Sequence, residues 1–309
     1  MQTVRRQRLL RLATLSLLLL LPVCDRSPQT MDEQPPPLPT VCPDLPAPPS
    51  GQRCTATASP TGSKAILLSG TLLLPDSTMK NGQVLVDSTG VIACVSCDCS
   101  SHPEAAAAST VSCPDGVISP GLINTHDHIT YTKAEPGTHP TNRYNHRHEW
   151  RIGVAGDPKR PKISVPGSNN SSAVQWGELR QLMGGTTSLV GSGSAKGVLR
   201  NLDTNVQEGL TEKPVDFDTF PLGDSGGERL TSGCDYPSIH KSTALQTVDA
   251  YEPHISEGIN DEAHNEFLCT SATLYGGQRV VEDKTAMIHA IGLTANDAWL
   301  ASARGASVI

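Results

Sequence analysis

The chain has 309 residues, of which 37% are hydrophobic and 18% are charged, a composition typical of globular domains rather than of disordered chains. Aromatic residues make up only 4%, and the 27 glycines and 24 prolines indicate many tight turns. The formal net charge is −7, and without the four arginines of the leader the remaining 20 basic and 31 acidic residues give −11. Because nucleic-acid phosphates would repel such a chain, no nucleic-acid partner is expected.

Residues 1–24 are typical of an export signal, with an arginine-rich start followed by an apolar run at 17–21 that is too short to span a bilayer. Cys24 closes this run, which resembles the lipobox of bacterial lipoproteins. The resemblance implies that Cys24 is lipidated and that the protein is a membrane-anchored lipoprotein of the cell envelope. The alternative is simple export to the periplasm or the medium.

Residues 25–63 are rich in proline, which predicts a disordered tether between the leader and a folded domain. Eight cysteines remain besides Cys24, an even number that favours disulfides in an exported chain. The sequence leaves their connectivity open. The cluster Cys94, Cys97 and Cys99 allows a zinc site as the alternative.

Residues 64–113 contain short segments of alternating apolar residues separated by turns, which predict a small β-sheet portion. The next segment, VISPGLINTHDH, predicts a strand that enters through a Pro-Gly pair and ends at His126 and His128. Since residues two apart lie on the same face of a strand, both imidazoles can bind one metal ion.

This segment resembles the first barrel strand of the amidohydrolase superfamily of metal-dependent hydrolases, in the branch that includes cytosine deaminase, guanine deaminase and imidazolonepropionase. The resemblance implies an α/β fold in which residues 64–113 belong to a small β-sandwich and residues 114–309 form a (β/α)8 TIM-type barrel. The active site of such a barrel lies at the carboxyl ends of its strands. The family's last metal ligand, an Asp on the eighth strand, would fall beyond Ile309, so we expect an incomplete, C-terminally truncated barrel.

Strands and helices alternate after His128 as a barrel requires. A capping box at Ser172 predicts a helix to Met183, and strands are predicted at 186–190, 197–202 and 215–222. A strand ending at His254 precedes a helix capped by Asn260. A strand carrying His289 then precedes a helix that begins at Thr294, and residues 306–309 begin one more strand.

The pattern HxxE at His254 and Glu257 resembles the fifth-strand motif of the deaminases. The resemblance implies that His126, His128 and His254 bind the metal, that Glu257 transfers protons and that His289 orients the nucleophile and the substrate. The predicted fourth strand has no lysine to bridge two ions, which favours a single zinc or, alternatively, iron ion. The expected reaction is attack of a metal-bound hydroxide on a non-peptide carbon–nitrogen bond.

The expected substrate is a small nitrogen heterocycle or cyclic amide, which makes the protein a deaminase or a cyclic-amide hydrolase. Arg143, His146, His148 and Arg151 resemble a substrate loop over the barrel mouth, and a solvated basic loop is the alternative. The competing hypothesis for the whole chain is a non-catalytic lipoprotein of the cell envelope, in which a barrel remnant serves only for binding.

Overall fold

A computed structural model describes residues 38–135, 137, 141–163, 165, 170–205, 207 and 209–309. The first part is one six-stranded sheet in the order β1-β4-β3-β6-β2, with β5 added to the side of β4. Its strands are β1 (Thr40–Val41), β2 (Thr55–Thr57), β3 (Ile66–Leu73), β4 (Thr78–Val86), β5 (Ile92–Ser96) and β6 (Ser109–Ile118). Strand β6 continues across the predicted boundary at residue 113.

The predicted tether at 25–63 is wrong for its described part, because β1 and β2 lie within it and pair with β4 and β6. Two disulfides hold these segments to the sheet, one joining Cys42 to Cys97 and the other joining Cys54 to Cys113. The proline content of this segment predicted a chain without strand pairing. The two disulfides and the hydrogen bonds of the strand ladders nevertheless hold its described part against the sheet. The export signal and Cys24 lie outside the described residues.

The expectation that the eight cysteines form disulfides is confirmed. The remaining two pairs are Cys94–Cys99 and Cys234–Cys269. The alternative of a zinc site at Cys94, Cys97 and Cys99 is wrong, because each of these sulfurs is bonded to another sulfur and has no thiolate to offer a metal.

The second part contains seven short strands, and each runs parallel to the strands it pairs with in its own sheet, which confirms the α/β prediction. They are β7 (Leu122–Asn124), β8 (Thr186–Leu189), β9 (Arg200–Asn201), β10 (Asp216–Asp218), β11 (Tyr251–Ile255), β12 (Ala286–His289) and β13 (Ser307–Val308). They form a three-stranded sheet β7-β8-β9 and a four-stranded sheet β10-β11-β12-β13. The amide of Val215 donates to the carbonyl of Leu202 at 2.7 Å and links the two sheets. Within the described ladders no pairing closes the strands into a barrel.

Four α-helices accompany these strands: α1 (Arg147–Ile152), α2 (Ser171–Met183), α3 (Asp261–Ser271) and α4 (Ala295–Ala303). Four short 3-10 helices cover Ala105–Ala107, Ile129–Tyr131, Ser242–Gln246 and Leu274–Gly276. None of the helices in the described part of the chain is long and apolar enough to cross a membrane.

The helix caps agree with the sequence at two of three positions. The side chain of Asn260 accepts from the amide of Ala263, and Thr294 forms a capping box with Asp297. The predicted capping box at Ser172 is wrong, because the side chain of Asn170 caps α2 instead. An Asn side chain at this position satisfies two amides of the first turn that would otherwise have no partner.

Two hydrophobic clusters fix the strands that carry the predicted site residues. Ile255 and Met287, on neighbouring strands, pack against Phe267 of α3 and Ala301 of α4. Val174 of α2 packs against Leu189 of β8 in a second cluster. Because these residues are buried and closely packed, they hold the strands in place, and with them the residues at the carboxyl ends of the strands.

Candidate metal centre and active site

Three histidines from two distant segments converge at the carboxyl ends of β7 and β11. His126 and His128 follow β7, and His254 lies in β11; each offers one ring nitrogen, and these atoms all lie within 4.8 Å of one another. The loop that carries the first two is held by Asp127, whose carboxylate accepts from the side chains of Asn124 at 2.9 Å and Gln181 at 2.8 Å. The structure therefore brings the three predicted ligands together.

The hydrogen bonding of His254 leaves one nitrogen for a ligand. Its Nδ1 lies 3.4 Å from the carbonyl oxygen of Asp218, so this nitrogen carries the proton and donates. Its Nε2 is buried and has no hydrogen-bond partner among the described residues. A backbone carbonyl that fixes one ring nitrogen while the other keeps its lone pair is the usual arrangement of a metal-binding histidine.

The spacing of the other two imidazoles also fits a metal ion. The Nε2 atoms of His126 and His128 are 3.2 Å apart. Two nitrogens bound to zinc at tetrahedral angles would lie about 3.3 Å apart, given zinc–nitrogen distances of about 2.05 Å. Three nitrogen donors that converge in this way fit zinc or iron, and the remaining coordination position is open to water or substrate.

The environment favours the neutral form of His126 and His254, which is the form that binds a metal. Burial lowers the pKa of His254 to about 3, helped by the nearby His126 and His128 rings. Burial and the His128 ring likewise lower the pKa of His126 to about 4. At neutral pH both rings are therefore uncharged, and each keeps one ring nitrogen with a lone pair for a metal.

Glu257 lies two residues beyond β11, beside the histidine cluster. Its Oε2 is 3.5 Å from Nε2 of His289, the last residue of β12. Burial raises the pKa of the Glu257 carboxyl, although the charge of Arg147 and a hydrogen bond from the Trp150 indole N–H act in the opposite direction. A carboxyl group with a raised pKa, next to an imidazole, is suited to accepting and passing on a proton.

Several residues around the cluster have the left-handed backbone conformation, which is costly for residues other than glycine. They are Ser192 after β8, Ser256 after β11, and His289 and Ala290 at the end of β12, with φ between 50° and 73°. They lie at the carboxyl ends of β8, β11 and β12, as the histidines lie at the carboxyl ends of β7 and β11.

The histidines open into a cavity of about 830 Å³, large enough for a small-molecule substrate. Its wall contains all five predicted metal-binding and catalytic residues together with aromatic and cationic side chains. These aromatic and cationic side chains are Tyr131, Arg147, Trp150, Arg151, Lys162 and Phe220.

The structure places the predicted substrate loop differently from the sequence prediction. His146 and His148 are 2% and 0% exposed and are not among the described residues that line the cavity, and neither is Arg143. Of the predicted group only Arg151 lines the cavity, together with Arg147 and Trp150. These three are spaced i, i+3 and i+4 on α1, so they share one helix face; this spacing in RYNHRHEWR is the signal that could have found Arg147 and Trp150.

His146 and His148 belong to a buried network around Arg147. The Arg147 guanidinium donates to the carboxylate of Asp224 and lies 3.5 Å from Oε1 of Glu266. His146 pairs with Glu266 at 3.1 Å and His148 pairs with Asp224 at 2.7 Å. The positive charge of Arg147 lies within this group, and ring nitrogens of both His146 and His148 already have hydrogen-bond partners. These residues therefore fit a structural network better than a second metal site.

No protein-family model and no curated protein matches the chain. Among solved structures it is similar to a zinc-bound adenosine deaminase from Xanthomonas campestris, with 16% identity over 88% of this chain and a TM-score of 0.38. It is also similar to a guanine-bound guanine deaminase from C. acetobutylicum (15% identity over 79%, TM-score 0.41) and to a zinc complex of an atrazine chlorohydrolase from Arthrobacter aurescens (17% over 79%, TM-score 0.44). The chain spans 63%, 67% and 64% of the lengths of these three proteins, respectively.

Proposed function

We propose that the protein is a metal-dependent hydrolase of the amidohydrolase superfamily that cleaves a non-peptide carbon–nitrogen bond in a small molecule. The observation that carries the proposal is the convergence of His126, His128 and His254, with a buried and unpartnered Nε2 on His254 among the described residues. Chance histidine pairs on strand ends are common, but three imidazoles from two segments that open into one cavity fit a catalytic metal.

The remaining residues suit hydrolysis rather than metal storage. A divalent metal in this position would lower the pKa of a bound water towards about 7 and so supply hydroxide near neutral pH. The Glu257 carboxyl lies where it can take a proton at its Oε2 and pass it to a leaving nitrogen. His289, 3.5 Å from that oxygen, can orient Glu257 and the substrate by hydrogen bonds.

The donor set favours one ion. The predicted ligands are three imidazoles, and the described residues of β10 (Asp216–Asp218) contain no lysine that could bridge a second ion. We propose a single zinc, with iron as the alternative. The substrate class, a nitrogen heterocycle or a cyclic amide, follows from the resemblance of the His and Glu motifs.

Metal analysis tests the proposal directly. Purified full-length protein is expected to hold about one zinc or iron per chain, and His254→Gln should lose it, because one of only three protein ligands is gone. His264→Gln is the matched control, since His264 pairs with Asp297 on α4 at 2.9 Å and lies outside the cavity wall. Wild-type protein that binds neither metal would refute the proposal and leave the non-catalytic alternative.

Glu257→Gln tests the proton-transfer role. Gln keeps the size of the side chain but cannot accept the proton, so kcat should fall by about 10²–10⁴-fold while the metal content stays unchanged. The assay is ammonia release from cytosine, guanine and adenosine and ring opening of hydantoin and dihydrouracil. Full turnover by Glu257→Gln would remove Glu257 from the mechanism.

We further propose that the protein works outside the cytoplasm, anchored through a lipid on Cys24. Four disulfides support an oxidising compartment. Mass spectrometry of the mature amino terminus is expected to find a diacylated Cys24. An unprocessed leader, or a mature chain that begins elsewhere, would contradict the anchor.

A further inference from the structure

The wall of the cavity is strongly cationic for an acidic protein. Arg147, Arg151 and Lys162 line it, and Glu257 is the one acidic residue among the described lining residues. The chain as a whole has a net charge of −7, which would repel an anion at most of its surface. The local excess of positive charge therefore needs an explanation.

Internal ion pairs account for only one of the three cations. Arg147 is 2% exposed and lies against the buried carboxylates of Asp224 and Glu266. Its Nη1 also donates to the carbonyl of Thr219 at 2.7 Å. This guanidinium is held within the protein, and its charge is offset there.

Arg151 has no such compensation in direct contact. Its Nη1 donates to Nδ1 of His148 at 2.7 Å, and its Nη2 donates to the carbonyl of Ser225 at 3.1 Å. An imidazole nitrogen that accepts from arginine must be unprotonated, so His148 is neutral. Neither partner carries a negative charge, and these bonds use two of the five guanidinium N–H groups.

Phe220 fixes the plane of this guanidinium. The Arg151 Cζ lies 4.2 Å from the centre of the Phe220 ring, which itself lines the cavity. Stacking on an aromatic face and two hydrogen bonds hold the side chain in place before a ligand binds. An arginine held in this way loses little entropy when it binds a carboxylate or a phosphate.

Lys162 supplies a second positive charge on the same wall. Its backbone is placed beside α1, because the amide of Ile163 donates to the carbonyl of Trp150 at 2.8 Å. Its side chain is exposed and makes no ion pair with any described residue. Together with the aromatic rings of Tyr131, Trp150 and Phe220, the two cations give a surface that suits a flat molecule with a negative group.

We propose that the substrate of this site is a planar molecule with an anionic group, a carboxylate or a phosphate, that Arg151 and Lys162 bind at the cavity wall. The inference rests on the proposed function, because it places the reacting carbon–nitrogen bond of the same molecule at the histidine cluster. It makes Arg151 and Lys162 specificity residues, which bind the substrate away from the bond that breaks.

Calorimetric titration of the full chain with benzoate, phenyl phosphate and benzamide tests this inference. The three probes share a planar ring, and only the first two are anions. Because a carboxylate can also bind zinc, each titration is run with zinc-loaded protein and with protein treated with a chelator. In both states we expect at least one anion to bind roughly tenfold or more tightly than benzamide; which anion binds better identifies the group.

Lys162→Met separates binding at the wall from binding at the metal. Since Lys162 is exposed and unpaired in the described structure, its loss should not impair folding, and it should weaken anion binding roughly tenfold without changing benzamide binding. Lys162→Arg should restore the affinity. Lys159→Met, a change of another exposed lysine outside the lining, should leave all three affinities unchanged.

Three results would overturn the inference: equal affinity for all three probes, no binding of any probe, or a preference for anions that survives Lys162→Met. The proposed function fails separately. A chain that holds no metal but binds benzoate through Lys162 would refute the hydrolase and keep the anion site. A metal-containing chain that cleaves neutral amides and does not bind the anionic probes would support the hydrolase and refute the anion site.

Discussion

Replacing Asp224 by alanine should destabilise the protein strongly, because Asp224 is the centre of the buried charge network beside the cavity. Its Oδ2 accepts from the Arg147 guanidinium and from Nε2 of His148 at 2.7 Å, and Asp224 itself is 0% exposed. Alanine would leave two buried donors, one of them charged, without this acceptor.

The magnitude follows from what remains around Arg147. Breaking a buried ion pair from one side costs about 3–5 kcal/mol. Glu266 still lies 3.5 Å from the guanidinium, and Thr219 still accepts from it, so we expect the lower end, about 3 kcal/mol. Asp224→Asn keeps an acceptor but loses the charge and should cost about 1–2 kcal/mol less than alanine.

Urea unfolding under non-reducing conditions, followed by tryptophan fluorescence, measures both variants. Asp249→Asn is the matched control, because Asp249 pairs with Lys213 at 3.5 Å on the exposed surface, and such a pair contributes about 0–1 kcal/mol. A loss below about 1 kcal/mol for Asp224→Ala would show that the network is not the buried ion pair described above.

Three further predictions concern the disulfides and the last helix. Removing Cys42–Cys97, which closes a separation of 55 residues, should lower the free energy of unfolding by about 4 kcal/mol, because the loss grows with the length of the closed loop. Removing Cys94–Cys99, with a separation of 5, should lower it by about 2 kcal/mol. Paired Cys→Ala variants compared by urea unfolding check this ranking, and equal losses would contradict it. Thr294→Ala should cost about 1 kcal/mol by removing the capping box of α4, with exposed Ser302→Ala as the control. Burial raises the pKa of Asp297, but hydrogen bonds from Thr294 outweigh this and hold that pKa below its usual value of 3.8. The stabilisation by Asp297 is therefore complete above that pH and is lost as the pH falls further. Wild type and Asp297→Asn should converge in stability in acid.

The site was predictable where one short segment contains the information. His126 and His128 are two residues apart just after β7, and His254 and Glu257 lie at the end of β11 and just beyond it, so their neighbours in the chain already place them at strand ends. The helix starts at Asn260 and Thr294 were predictable for the same reason, since a cap interacts with amides two or three residues away.

The substrate loop shows where such reasoning fails. Its histidines and arginines alternate within a few residues, and a helix of only six residues, α1, has no long periodic pattern to reveal its buried face. The partners that bury His146 and His148 are Glu266 and Asp224, 120 and 76 residues away. No local pattern in RYNHRHEWR indicates those partners.

The sequence by itself determined the order of strands and helices, the spacing of the histidines and the even number of cysteines, because these depend on neighbours along the chain. The tertiary structure decided which cysteines pair, that part of the proline-rich segment joins the first sheet, and which face of α1 lines the cavity. Those outcomes depend on contacts between residues far apart in the chain, where packing and burial select one arrangement among many that are locally acceptable.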